Sequence, residues 1–230
     1  MFREWRDLPE FMRISEVRPY YDVLVKKRGA LTVKRLLDVY FAVILLFLLA
    51  APMLFIAVWI KLDSRGPVFY RQERVTTYGK HFRIHKFRTM VQNADQIGTA
   101  VTVENDSRIT RAGAILRKYR LDELPQLFDV LEGDMSFVGV RPEAVKYVRQ
   151  YKPEYFATFL LPAGITSEAS IRYKNEDQML KNAENADQIY IEKILPQKME
   201  WNLRSIKNFD LMYDIRTVIR TAFEVFLRGQ

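Results

Sequence analysis

The sequence predicts an α+β fold, mainly α, in which a re-entrant membrane helix–break–helix joins a compact cytosolic domain with a small β element. Three observations predict it. One uncharged apolar run, residues 39–60 (VYFAVILLFLLAAPMLFIAVWI), dominates the chain and carries Pro52 near its middle. Two short alternating stretches flank a Tyr78-Gly79-Lys80 turn. Helical apolar spacing then prevails toward the C-terminus. Domain organisation follows as a basic extension (1–33), the membrane segment (34–62) and a compact body (63–230).

The apolar run is about as long as the ~20 residues that span a bilayer core. It lies too far into the chain, behind scattered basic residues, to read as a cleaved signal peptide. Proline lacks a backbone donor and clashes with the preceding turn, so Ala51-Pro52 predicts a break in the helix. Lys26, Lys27, Arg28, Lys34 and Arg35 precede the run, and Lys61, Arg65, Arg71 and Arg74 follow it. Positive charge on both flanks predicts that both lie on the cytoplasmic side. A straight spanning helix is the competing reading, because proline is tolerated in such helices.

Residues 1–33 are mixed and basic. Trp5, Leu8, Phe11 and Met12 are loosely helical in spacing, consistent with an interfacial helix or a solvated extension. Val68 to Tyr70 and His81 to Phe87 read as strands. Arg111 to Tyr119 reads as a basic helix, and a second helix begins near Asp122 and ends at Gly133-Asp134. Met135 to Val138 reads as a strand, and Arg141 before Pro142 must be extended or turning. Leu211, Ile215, Val218, Ile219, Ala222, Phe223 and Phe226 make one apolar face of a last helix, suited to core packing or, less commonly, to a membrane surface.

The 230 residues carry a formal charge of +8 and no cysteine. Disulfides, thiolate catalysis and cysteine zinc sites are therefore excluded. The charge suits nucleic acid, anionic lipid or phosphorylated substrates without choosing among them. The apolar run argues against nucleic acid as the partner. His81 and His85 are four apart on a strand, hence about 13 Å from each other, too far to share a metal. The chain holds no P-loop, dinucleotide or nucleophile-elbow motif, and no Asp-x-Asp pair.

The strongest chemical signal is Arg117-Lys118-Tyr119-Arg120-Leu121-Asp122-Glu123-Leu124-Pro125-Gln126. Asp122 is a natural helix N-cap with Pro125 in the first turn, and capping alone is the plain reading. The same geometry offers free N–H groups to phosphate. Two adjacent carboxylates, Asp122 and Glu123, can hold Mg²⁺ while one attacks phosphorus. Arg111, Arg117 and Arg120 suit a diphosphate, or else a solvated helix face. Arg141, in an extended Val-Arg-Pro loop, can grip phosphate oxygens with both prongs of its guanidinium. Lys86 and Arg88, with Thr89, end a strand and are weaker candidates for the same task.

Taken in order, these blocks resemble the bacterial sugar transferases, small monotopic phosphoglycosyl transferases. The resemblance rests on Lys34-Arg35-Leu36-Leu37-Asp38 with Ala51-Pro52; residues 66–75 (GPVFYRQERV); Lys86-Phe87-Arg88-Thr89-Met90; residues 105–111 (NDSRITR); residues 121–127 (LDELPQL); and residues 133–142 (GDMSFVGVRP). It implies that Asp122 is the nucleophile, Glu123 its partner carboxylate and Mg²⁺ the cofactor. It implies a UDP-sugar donor, UMP release and a polyprenol phosphate acceptor, undecaprenyl by expectation. It also places the chain at the bacterial inner membrane with its catalytic domain on the cytoplasmic face, at the first membrane step of surface glycan synthesis. A homo-oligomer stays open. The chain departs from the family pattern at Val140, where proline is usual before Arg141. It departs again at residues 161–168 (LPAGITSE), where an arginine and a tryptophan are absent. A membrane-tethered basic scaffold or an inactive relative is the competing class, and UMP release from a UDP-sugar separates the two.

Overall fold

The computed structural model describes residues 2–94, 106–173, 176–179 and 185–228. In chain order the helices are α1 (Arg18–Val25), α2 (Arg28–Asp63), α3 (Arg111–Lys118), α4 (Gln126–Glu132), α5 (Val145–Val148), α6 (Glu168–Arg172), α7 (Glu176–Met179), α8 (Ala186–Ile189), α9 (Leu195–Lys207) and α10 (Leu211–Arg228). The strands are β1 (Phe69–Val75), β2 (His81–Phe87), β3 (Met135–Val138) and β4 (Ala163–Thr166). The described residues are thus mainly helical, with two small sheets. One is the antiparallel hairpin β1–β2, with Arg71 opposite His85 and Tyr70 opposite Lys86. The other is a parallel pair, β3–β4.

The largest core cluster joins α1, the 3₁₀ segment Pro153–Leu160 and α9. Residues 2–25, read from the sequence as a basic extension, contribute Leu8, Met12, Val17, Tyr20, Tyr21 and Leu24 to it, each at most 3% exposed. Their apolar spacing is core spacing. The basic residues between them point outward, where Arg18 lies over the Trp5 ring.

Helix α2 is 36 residues long and runs unbroken through Pro52. The expected helix–break–helix is not present in its secondary structure. Proline removes the N–H that would bond the Leu48 carbonyl, which perturbs one turn without ending the helix. α2 is long and apolar enough to cross a membrane, and its most apolar window is only 17% buried.

The buried side of α2 is a single stripe. Lys34, Asp38, Ala42, Met53, Ile56 and Ile60 are buried, and Leu46 and Leu49 pack beside them. The steps of three and four residues are those of one helix face. Leu36, Phe47, Leu48, Leu54, Phe55 and Leu62 are exposed.

Both ends of α2 are held by the same globular body. Near its start, Lys34 Nζ pairs with Asp214 at 2.6 Å. Arg35 donates to the Val130 and Leu131 carbonyls at the end of α4 (2.6 and 3.0 Å). Asp38 accepts from the Phe137 N–H at 3.2 Å. At the other end, Asp63 accepts from the Ala112 N–H at 3.1 Å. Arg88 donates to the Arg65 carbonyl and to the Ser64 carbonyl at 2.8 Å.

Two glycines are needed by this packing. Gly133 ends α4 in the left-handed region (φ 91°), where a side chain is costly. Gly113 lets α3 lie against the Thr89 backbone, which a Cβ would strike.

On α10, Met212, Ile215, Val218, Ile219 and Phe223 are exposed, whereas core packing was the commoner expectation for that face. The side chain of Phe226 lies outside the described residues. The helix is held through its polar positions instead, by Lys34–Asp214, Glu168–Arg220 and a 2.7 Å Thr166–Thr221 bond.

Candidate active site

The Asp122-Glu123 pair sits on a 3₁₀ turn, Leu121–Glu123, preceded by Arg120 in the left-handed conformation (φ 57°). Helix α4 begins only at Gln126, with Pro125 as its N-cap. Asp122 therefore does not cap a helix as the sequence suggested. The turn at Arg120 instead directs both carboxylates into a cleft, and each residue is 8% exposed.

The two carboxylates differ in their surroundings. Glu123 is surrounded by cations: Lys86 Nζ is 2.9 Å and Arg120 Nη1 3.7 Å from Oε1, and Arg141 donates to Oε1 through Nη2. Arg141 Nη1 lies 3.4 Å from Oε2. Burial acts to raise the Glu123 pKa, but Arg141, Lys86 and Arg120 together hold it well below the usual carboxylate range. Glu123 in turn raises the pKa of Arg141. Asp122 has no hydrogen bond or ion pair among the described residues. Burial, and then the neighbouring Glu123, raise its pKa, opposed by Lys86, Arg117 and Arg120. Among the described residues, the pair is one neutralised, anchored carboxylate beside one carboxylate that no side chain holds by a hydrogen bond or ion pair.

A cleft of about 650 Å³ opens over this pair, a size suited to a small-molecule ligand. Lys86, Arg88, Arg117, Arg120 and Arg141 line it with Asp122 and Glu123. Arg111, also expected to bind phosphate, lies exposed at the start of α3 and does not line the cleft. Arg88 lines the cleft but points its guanidinium at the carbonyls ending α2, and it is 5% exposed. Burial lowers the Lys86 pKa, with Glu123 acting in the opposite sense.

Further lining residues escaped the sequence reading, among them Glu143, Glu176, Tyr190 and Lys198. Glu143 follows Arg141-Pro142 directly, and that adjacency was the one available signal. The other three come from α7, α9 and the π-helical turn Tyr190–Ile194, without a motif to mark them.

The two histidines have separate partners, His81 on Glu73 (2.9 Å) and His85 on Asp129 (2.7 Å). Among the described residues, His85, Asp129 and Glu132 form an acidic and histidine cluster whose ligand atoms lie within 4.8 Å of one another, close enough to hold a metal ion. Both Asp129 oxygens, however, already accept from His85, one from its ring and one from its backbone N–H. At the dyad, Asp122 has oxygens available for a hard cation. Glu123 offers chiefly Oε2, because Oε1 is shared by cationic groups.

The residues that distinguish this chain at 161–168 do not line the cleft. Ala163 to Thr166 are strand β4, and Glu168 pairs with Arg172 (2.7 Å) and Arg220 (2.9 Å). Of residues 105–111, Asn105 lies outside the described residues. Arg108 chelates Asp106 (2.6 Å from Nη2), and both lead into α3.

Fold and site together define a globular body carrying a long apolar helix, with a buried carboxylate pair in a cationic cleft. The chain belongs to the bacterial sugar transferase family, which it matches over residues 29–228. It is 40% identical over 192 residues to the UDP-N-acetylgalactosamine-undecaprenyl-phosphate N-acetylgalactosaminephosphotransferase of Aeromonas hydrophila, covering 82% of this chain and 42% of that protein. It is 35% identical over 223 residues to the UDP-glucose:undecaprenyl-phosphate glucose-1-phosphate transferase of Escherichia coli K12, covering 95% and 45%. It is 36% identical over 210 residues to the exopolysaccharide production protein PSS of Rhizobium leguminosarum, covering 87% and 98%. The chain thus spans less than half the length of the first two relatives and nearly all of the third.

Proposed function

We propose that the protein transfers a phosphosugar from a UDP-sugar to a polyprenol phosphate, undecaprenyl phosphate by the names of its relatives. The observation that carries this reading is the buried Asp122 carboxylate, without a hydrogen bond or ion pair among the described residues, beside Glu123 and within a cleft lined by Lys86, Arg117, Arg120 and Arg141. An Asp122 oxygen attacks the phosphorus that bears the sugar, and the bond from that phosphorus to the UMP oxygen breaks. UMP departs, leaving an aspartyl-phosphosugar. An oxygen of the polyprenol phosphate then attacks the same phosphorus, the bond to Asp122 breaks and polyprenol diphosphosugar leaves. Splitting the transfer in this way is nucleophilic catalysis.

Arg117 and Arg120 lie where diphosphate charge must be balanced. Arg141 and Lys86 act mainly through Glu123, which they keep ionised. Mg²⁺, when bound, would neutralise phosphate charge and act as a Lewis acid. Asp122, and Glu123 through Oε2, would hold it.

The topology we infer is re-entrant, with α2 entering and leaving by the cytoplasmic face of the inner membrane. It is supported by the single packed stripe from Lys34 to Ile60 and by the tethering of both helix ends to one globular body. A straight helix of 36 residues would be about 54 Å long. If it crossed the bilayer, its two ends would lie on opposite sides, and one set of those contacts would be lost. The opposite face, with Phe47, Leu48, Leu54 and Phe55, is then the lipid-facing side.

The test is UMP release by the purified protein with Mg²⁺ and undecaprenyl phosphate, against a panel of UDP-sugars. Release that depends on one donor is the expected outcome. No release from any donor would leave the family membership standing and the activity refuted.

A further inference from the structure

The cleft has two ends of different chemistry. One lies against the membrane helix, because Arg88 and Pro67 line it and Arg88 holds the carbonyls at the end of α2. Lys86, two residues before Arg88, and Arg141, two residues before Glu143, both hold Glu123, so the dyad lies between the two ends. The other end is walled by Glu143, Ser170, Tyr173, Glu176, Tyr190 and Lys198.

This far wall is not a phosphate site. Lys198 is 5% exposed and donates to Tyr190 Oη at 2.9 Å and to Glu176 Oε2 at 3.0 Å. It lies 3.5 Å from Glu143 Oε1, which accepts from Tyr190 Oη at 2.6 Å. Two carboxylates here would repel a diphosphate. Charged acceptors, an ammonium and phenol hydroxyls side by side instead suit a ligand that both donates and accepts through many hydroxyls. In the same wall Arg74 keeps a buried Nε with no hydrogen-bond partner among the described residues.

The reaction then decides which part of the donor lies there, and this step rests on the transferase reading above. In a double displacement the sugar phosphate stays on the enzyme through both halves. UMP leaves, and the polyprenol phosphate enters, along the same in-line direction opposite Asp122. The two must therefore share one end of the cleft in turn. The polyprenol phosphate comes from the lipid, so the shared end is the one beside α2. The sugar, which remains through the exchange, is left the other end.

We propose that Glu143, Glu176, Tyr190 and Lys198 form the sugar subsite of the donor and select which UDP-sugar is used. Their carboxylates accept from sugar hydroxyls, and Lys198 donates to them. The hydroxyl pattern of the sugar is then read by charge-assisted hydrogen bonds.

The experiment uses the full chain in detergent with the UDP-sugar that wild type prefers, and measures UMP release and inhibition by UMP. Glu176→Gln sits at the accessible side of the cluster, its side chain 23% exposed, and is the variant least dependent on refolding of the wall. Lys198→Met is the stronger, buried change. Each is expected to raise KM for the UDP-sugar by roughly tenfold, the effect of one charge-assisted hydrogen bond. Inhibition by UMP should stay within about twofold of wild type, and the ranking of UDP-sugars should change. Parallel weakening of UMP would assign this wall to the nucleoside and overturn the proposal. An unchanged KM and an unchanged ranking in Glu176→Gln would overturn it as well. A wild-type protein that releases no UMP from any donor would refute the transferase reading itself, a result visible before any variant is made.

Discussion

Arg88 offers the sharpest separation between a structural and a substrate-binding role. Its guanidinium donates to the carbonyls of Arg65 and Ser64, with a longer 3.5 Å approach to Ile60. These groups end α2, where the last helical carbonyls lack intrahelical donors. Arg88→Met keeps an apolar stem and removes both good bonds. Each hydrogen bond to a charged group contributes about 1.5–3 kcal/mol, so losing two should cost roughly 3–6 kcal/mol. For a chain of this size about 3 kcal/mol corresponds to a fall in Tm of about 6–12 °C. Gly66→Ala should act in the same direction, because its Cβ would strike the Arg88 guanidinium and its φ of 128° already disfavours a side chain. The assay pairs thermal unfolding in detergent with UMP release per folded molecule at a temperature where the variant is folded. The expected result is a large drop in Tm with KM for the UDP-sugar nearly unchanged. An unchanged Tm with a KM raised roughly tenfold, the loss of one charged hydrogen bond, would refute the clasp and return Arg88 to the phosphate.

Asp122→Asn should abolish UMP release at an almost unchanged Tm, since Asp122 makes no hydrogen bond or ion pair among the described residues; substantial turnover would remove it as the nucleophile. Arg141→Lys should lower kcat/KM by roughly tenfold or more, because an ammonium replaces a two-pronged grip on Glu123; wild-type kinetics would make the second prong dispensable. Excess EDTA should stop turnover and added Mg²⁺ restore it, and full activity in EDTA would exclude a required divalent ion. A cysteine placed at Arg13, in a chain that has none of its own, should resist a membrane-impermeant thiol reagent applied to intact cells. Labelling from outside would sink the re-entrant topology.

The local signals in the chain were strong wherever a pattern repeats over neighbouring residues. The uncharged run at 39–60, the turn at Tyr78-Gly79-Lys80, the strand Met135–Val138 and the ordered blocks around Asp122 are all of this kind. Each depends on periodicity, turn chemistry or motif spacing, which one stretch of chain carries by itself. They were enough to place the chain among the bacterial sugar transferases and to single out Asp122, Glu123, Arg117, Arg120, Arg141 and Lys86, all of which line one cleft. Tertiary structure decided what those side chains do. A buried charge takes its role from the groups that neutralise it, and those arrive from distant positions. Arg141 and Lys86 turned to Glu123, Arg88 to the end of α2, and Arg111 to the surface. The same reason hid the far wall of the cleft, where Glu143, Glu176, Tyr190 and Lys198 meet only after α9 packs beneath it. It also hid the place of residues 2–25, whose modest apolar content reads as an extension until α9 supplies the opposite face. Pro52 marks the limit of local reasoning most clearly. Its missing N–H is a property of one residue, but whether the helix continues depends on the stripe from Lys34 to Ile60, which is held along its length by the rest of the fold.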